Sequence, residues 1–340
     1  VTEAVAAPLR TGYDVLLLDL DGTVYQGPEA IPGAREALAA GAERQFYVTN
    51  NASRSPAQVA DHLRELGFDA ADTDVVTSSQ SAARLLFERL EPGAAVLVVG
   101  TDALAAEVAN AGLRPVRRFE DSPMAVVQGH SPATDWSILA EATLAIRAGA
   151  TWVAANVDTT LPTERGLVLG NGSLVAALRT ATAREPVVAG KPASPLMEDA
   201  LNRSGADRAL VVGDRLDTDI AGANAVGVDS LLVLTGVSTT ADLLRADTLH
   251  RPTYVAESLD ALNRPAEDAA VACHRGWSVE FVSGDLVIRS ENPGAVGPRP
   301  DRSGAFLSVL DAAWRHPEFV RVRAADDDAH AAVPFLLGDM

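Results

Sequence analysis

Short apolar runs recur along the chain, and almost every one is followed by an Ala-, Leu-, Glu- and Arg-rich stretch of helical character. VLLLDL (15–20) precedes Ala34 to Arg44, QFYVTN (45–50) precedes Ser55 to Leu66, and the alternation continues to about residue 260. Runs that are apolar throughout, and not only at every second position, belong to strands covered on both faces. Strand–helix alternation of this kind predicts an α/β fold: a Rossmann-like, doubly wound parallel sheet with helices on either side. Pro56 falls in the first turn of its helix, where the missing N–H breaks no helical bond.

Two segments depart from the simple alternation. Residues 80–185 hold a full set of elements of their own: helices at 80–90, 102–111, 136–148 and near 173–183, with VLVVG (96–100), AVVQG (125–129) and TWVAAN (151–156) between them. That is enough for an inserted α/β unit. After Arg264, GWSVEFVSGDLVIRSENPG alternates apolar and polar residues about Ser-Gly-Asp, the pattern of an antiparallel hairpin. A Gly- and Pro-rich loop and a helix from about Gly304 to Arg315 follow. The predicted organisation is a core of 11–79 and 186–264, a cap inserted at 80–185, and a small α+β module at 265–340.

Composition narrows the function classes. Lys and Arg number 28 against 46 Asp and Glu, a net charge of −18. A nucleic-acid binder needs a cationic face to displace phosphate counterions, and docking to an anionic membrane needs the same. Neither partner is expected. A small phosphorylated substrate fits if its cationic contacts are local, and a homo-oligomer stays open. The one cysteine, Cys273, leaves no intramolecular disulfide and no cysteine-based zinc cluster, so a cytoplasmic location is expected. The opening VTEAVAAPLR has no signal-peptide pattern, and no apolar run nears the ~20 residues that span a bilayer.

Ligands of open α/β sheets sit at the carboxyl ends of strands, so the residues that close each apolar run carry most information. VLLLDLDGT places Asp19, Asp21, Gly22 and Thr23 there; FYVTNN places Thr49 and Asn50; VVAGKP places Lys191; LVVGDRLDTDI places Asp214, Asp217 and Asp219. Clustered carboxylates repel one another and are stable together only with a cation. An all-oxygen ligand set selects a hard cation, Mg²⁺ over zinc or copper. Mg²⁺ with a lysine suits a phosphoryl group, and of two aspartates two residues apart one can attack phosphorus while the other handles protons. Gly22 gives the chain room to turn out of its strand. Each signal alone also fits an Asp-Gly turn or solvated surface charge. All four in this order, each after an apolar run, are poorly explained by coincidence.

DLDGT (19–23), VTNN (48–51), GKP (190–192) and GDRLDTDI (213–220) resemble the four motifs of the haloacid dehalogenase superfamily. The text is similar to subclass IIA, the sugar-phosphate and nitrophenyl-phosphatase branch, whose α/β cap lies between the second and third motifs. GNGSLVAAL (170–178) and ATWVAANVD (150–158) resemble signatures of that cap. The resemblance covers about 11–262. It implies that Asp19 is the nucleophile and forms an aspartyl-phosphate. Asp21 protonates the leaving oxygen and then activates water; Asp at this position goes with hydrolysis, where phosphoryl-transfer ATPases have Thr. Thr49 holds the phosphoryl group, with backbone amides near Asn50, and Lys191 neutralises it. Mg²⁺ takes the Asp19 carboxylate, the Asp21 backbone carbonyl and the Asp214 carboxylate, with Asp219 acting through water. Asp217 has no role there.

In the cap, the resemblance places Asn156 and Asp158 toward the leaving group, while an ordinary strand-end turn explains AANVDTT equally well. The stretch VVQG–His130–Ser131 departs from the branch's usual VVGFD-like text and puts His130 where an acidic residue is common. Within the branch, the chain is similar to bacterial glycerol 3-phosphate phosphatases whose C-terminal extension resembles part of a GNAT acetyltransferase. That implies hydrolysis of a small polyol phosphate, glycerol 3-phosphate, to glycerol and phosphate. The alternatives are a nucleotide, pyridoxal phosphate or general nitrophenyl-type phosphatase, or a catalytically silent sugar-phosphate sensor; intact Asp19, Asp21 and Lys191 speak against the sensor. Arg299–Gly304 has Arg302 where the acetyltransferase pyrophosphate loop needs its first glycine, so acetyl transfer is not expected. Residues 184–192 lack the first P-loop glycine, and Pro132 removes an amide that a serine-hydrolase elbow at 129–133 would use. The six histidines show no metal-ligand spacing.

Overall fold

In the computed structural model, residues 7–163, 165–293 and 302–337 are described. Two units divide them: one runs to Gln26 and takes in Ala30–Arg44 and everything from Asp207 onward, the other holds Gly27–Glu29 and Gln45–Ala206. Both are built on parallel strands with helices, the α/β class expected from the sequence.

In the first unit the strand Val15–Leu18 pairs in parallel with Ala209–Gly213, which pairs with Asp229–Val233, which pairs with Tyr254–Ala256. Val15–Leu18 and Ala209–Gly213 are buried at every position, as unbroken apolar runs require. Because Leu18 lies opposite Val212, the two chains leave the sheet side by side, and the Asp19 N–H still donates to the Val212 carbonyl at 2.8 Å.

The C-terminal segment adds a three-stranded sheet. Trp277–Val282 and Asp285–Ser290 form the expected hairpin about Ser283 and Gly284, and Arg321–Ala324 joins in parallel. The helix Arg302–Arg315 covers it. Among its described residues this segment shares its core. Trp277, Leu286, Leu307 and Leu310 share one apolar cluster with Leu216, Ile220, Leu232, Leu243 and Leu244 of the parallel-sheet portion. Polar ties reinforce the joint: Trp314 Nε1 donates to the Leu243 carbonyl at 2.9 Å, and Arg245 donates to Phe319 O at 2.8 Å while its guanidinium stands over the Phe319 ring. Of the acetyltransferase-like loop Arg299–Gly304, residues 299–301 lie outside the described residues.

The second unit contains a five-stranded parallel sheet in the order Val187–Val188, Thr151–Ala154, Ala125–Gln128, Ala95–Val99, Arg114–Val116. One face packs Leu85, Leu86 and Leu104, the other Ile146, Trp152, Val175 and Leu178, so helices cover both sides. Arg44–Thr49 pairs in parallel with Val75–Thr77. Pro56–Glu65 begins with a reciprocal cap between Ser55 and Gln58 and has proline in its first turn. Thr160–Thr163 and Gly166–Leu169 form a hairpin that the sequence reading did not anticipate. Among the described residues no helix is long and apolar enough to cross a membrane.

Candidate active site

Strand register delivers the carboxylates of the first unit. Asp19 and Asp214 follow adjacent parallel strands, and a single wide helical turn, Leu216–Ile220, carries Asp219 back toward them. Ligand oxygens of Asp19, Asp214 and Asp219 lie within 4.8 Å of one another. Asp214 and Asp219 are 0 % and 1 % exposed, and Asp19 is half-buried. Three carboxylates this close and this dry require a compensating cation, and their all-oxygen character suits a hard one.

The surroundings hold the Asp214 carboxylate in one orientation. Its Oδ2 accepts the Val237 N–H at 2.7 Å, and the Thr23 hydroxyl lies 3.5 Å from Oδ1. Its backbone carbonyl accepts the Ser238 N–H at 3.1 Å. Gly22 and Gly236 flank the carboxylate so closely that a Cβ on either would collide with it. Gly22 has φ +87°, and its carbonyl accepts the Thr235 hydroxyl at 2.6 Å. Asp219 Oδ2 accepts the Arg215 N–H at 3.1 Å, and a Cβ on Gly213 would overlap its carboxylate. Asp21 is exposed, and its backbone bridges to Tyr25. Asp217 is bound by the Arg215 guanidinium at 3.0 and 2.8 Å, which holds its carboxyl below the usual range. The loop 235–238 was missed by the sequence reading. The same rule finds it, since TGVS closes the apolar run Asp229–Val233.

In the second unit Thr49, Asn50 and Lys191 are held together. Thr49 is 5 % exposed and its hydroxyl accepts the Asn51 N–H at 3.1 Å. Lys191 is 2 % exposed, and its Nζ donates to the Val48 carbonyl at 3.0 Å. Asn50 grips the Lys191 backbone at two points: its Oδ1 accepts the Lys191 N–H at 2.8 Å, and its Nδ2 donates to the Lys191 carbonyl at 3.0 Å. Gly190 makes this approach possible, since a Cβ there would lie 2.5 Å from Asn50 Oδ1.

The expected specificity residues lie in the same unit. Asp158 accepts from Asn50 Nδ2 with both oxygens at 3.3 Å. Asn156 donates to the Asn50 carbonyl at 2.7 Å, and its Oδ1 accepts the Asp158 N–H at 3.3 Å. His130 follows Ala125–Gln128 and is half-buried; its carbonyl accepts the Ser53 hydroxyl at 3.0 Å. The buried Nδ1 of His130 meets no hydrogen-bond partner among the described residues, and burial pushes its pKa down. Asn171, not singled out from sequence, is 1 % exposed and donates to the Asn156 carbonyl at 2.7 Å.

Comparison with known proteins supplies an independent line. A family model described as haloacid dehalogenase-like hydrolase matches residues 16–114, and a second, HAD-hydrolase-like, matches 188–262. The D-glycerol 3-phosphate phosphatase of Mycobacterium tuberculosis is 54 % identical over 330 residues, 94 % of this chain and 93 % of that one. An acid sugar phosphatase of Staphylococcus aureus is 38 % identical over 253 residues, 73 % of this chain and 96 % of that one. The crystal structure of a glycerol phosphate phosphatase from M. tuberculosis in complex with magnesium superposes with a TM-score of 0.92 at 52 % identity, covering 97 % of this chain and 99 % of that one.

Proposed function

The chain belongs to the haloacid dehalogenase-like hydrolases, and from that premise we propose that it is a Mg²⁺-dependent phosphatase that hydrolyses glycerol 3-phosphate to glycerol and phosphate. The observation that carries the chemistry is the cluster of Asp19, Asp214 and Asp219 oxygens within 4.8 Å. The residues fit the ion: three hard oxygens, two of them fixed by glycine-lined packing and backbone amides. When bound, Mg²⁺ supplies charge neutralisation for a phosphoryl group and its nucleophile. Asp19, Asp214 and the Asp21 carbonyl would hold it, with Asp219 completing the set.

In this reading the Asp19 carboxylate attacks phosphorus and becomes an aspartyl-phosphate. Exposed Asp21 gives its proton to the leaving oxygen and then, as the carboxylate, takes one from the attacking water, which frees phosphate and restores the acid. Lys191, dry and fixed by its backbone, supplies positive charge that costs no reorganisation as the phosphoryl charge develops. Thr49 and the amides beside it bind phosphoryl oxygens. His130, half-buried after Ala125–Gln128, contributes to selection of the leaving group. We take 80–185 as a cap inserted between 11–79 and 186–264, with 265–340 as an appended module, in a cytoplasmic enzyme.

The test is phosphate release from a panel of polyol, sugar, nucleotide and pyridoxal phosphates with Mg²⁺, run beside Asp19→Asn. Glycerol 3-phosphate should give the highest kcat/KM, and Asp19→Asn should abolish turnover of every substrate while remaining folded. A nucleotide or pyridoxal phosphate at the head of the panel overturns the substrate; turnover by folded Asp19→Asn overturns the mechanism.

A further inference from the structure

We propose that Asp158 is a positioning residue for Lys191 and acts on it through the Asn50 amide. The proposal rests on the reading of Lys191 as the cation of the phosphoryl site. The Asn50 side chain binds the Lys191 N–H and carbonyl as a neighbouring strand would, at 2.8 and 3.0 Å. The Lys191 N–H and carbonyl, a donor and an acceptor, admit the amide in one order only. Asp158 holds the amide in that order and place: a carboxylate only accepts, so its two oxygens, at 3.3 Å from Nδ2, bind the end that already donates to the Lys191 carbonyl and leave Oδ1 for the Lys191 N–H.

The loop bearing Asp158 is itself rigid. The helix Asn171–Thr182 begins against it, with the Gly172 N–H on the Asp158 carbonyl at 2.8 Å, the Gly170 N–H on Thr159 O at 2.9 Å and the Ser173 hydroxyl on Thr159 O at 2.8 Å. A Cβ on Gly170 or Gly172 would overlap the backbone of 157–158. The GNGS text at 170–173 therefore seats the loop. Asn171 and Asn156 extend the network, and Asn156 and the Ser78 hydroxyl both donate to the Asn50 carbonyl, at 2.7 and 2.6 Å. The links are polar and largely buried, each made to the next, so loss of one is felt at the following one. The destination is the backbone of a lysine 2 % exposed, whose Nζ already has one donor directed at Val48 O.

A residue that works through Lys191 must affect every phosphate ester alike, whereas one that touches the leaving group must discriminate among them. The experiment compares Asp158→Ala, Lys191→Met and the double variant, each with Mg²⁺. It reads kcat/KM for glycerol 3-phosphate and 4-nitrophenyl phosphate, and the Kd of inorganic phosphate by calorimetry. Asp158→Ala should lower both kcat/KM values by the same factor, roughly tenfold, and weaken phosphate binding similarly. In the Lys191→Met background it should add no further loss of phosphate affinity. Asp158→Asn, whose amide oxygen still accepts from Asn50, should restore most of the activity. If Asp158→Ala does not fold, near-isosteric Asp158→Leu carries the same comparison. A loss confined to glycerol 3-phosphate overturns the proposal, as does a full additional loss in the Lys191→Met background. Wild-type phosphate affinity in Lys191→Met alone overturns the reading of Lys191, and the proposal with it, and that single variant tells the two failures apart.

Discussion

An alanine at position 22 has two separable consequences. Gly22 sits at φ +87°, where a residue with a Cβ is strained by roughly 1–2 kcal/mol. That Cβ would also lie 2.5 Å from Asp214 Oδ2, where ordinary contact begins at 3.4 Å, so the carboxylate must retreat by 3.4 − 2.5, about 0.9 Å. Oδ2 is tied to the Val237 N–H at 2.7 Å, and the retreat breaks that bond or swings Oδ1 out of the cluster. Mg²⁺ takes its ligands at ~2.0–2.1 Å in near-octahedral order and does not absorb such a displacement. Gly22→Ala should therefore raise the Mg²⁺ concentration for half-maximal 4-nitrophenyl phosphate hydrolysis at least about tenfold, the lower end of what a lost support costs a metal site. Gly33→Ala isolates the strain: Gly33 has φ +78° before the helix Ala34–Ala39, and nothing lies within 4 Å of its added Cβ. Both variants should lose stability on thermal unfolding, Gly22→Ala more because of its clash with Asp214, and only Gly22→Ala should change the metal requirement. Equal Mg²⁺ half-saturation in the two would refute the reasoning.

Asp21→Asn should slow glycerol 3-phosphate hydrolysis much more than that of 4-nitrophenyl phosphate, because a leaving group of low pKa needs little protonation; equal losses would contradict the acid–base role. Leu310→Ala, at a 0 % exposed position in the shared cluster, should cost about 2–5 kcal/mol in urea unfolding and move one cooperative transition, and a separate early transition for the C-terminal segment would contradict a common core.

The features legible in the sequence are those written locally. Unbroken apolar runs marked the strands, their closing residues marked the carboxylates, and Ser283-Gly284, both at positive φ, marked the hairpin. Strands without an apolar run were not legible: Arg114–Val116 includes Pro115, and Arg321–Ala324 alternates arginines with small apolar residues. The role of Asn50 was legible only in part. Its motif pointed to phosphate, but its amide is spent on a backbone 141 residues away, a pairing that no local pattern encodes. Asp158 shows the same limit, since strand-end carboxylates look alike in text whether they face solvent, substrate or another side chain.

Leu216 and Ile220, at the two ends of the turn that carries Asp219, belong to the same apolar cluster as Leu307 and Leu310 of the C-terminal helix. Thermodynamic linkage then reaches across the unit. A cation held by the carboxylates favours the folded state by RT ln(1 + [L]/Kd), and amides of Arg302–Arg315 that exchange only through global opening inherit that protection. Magnesium is in this sense a ligand of a helix that contributes none of its coordinating atoms.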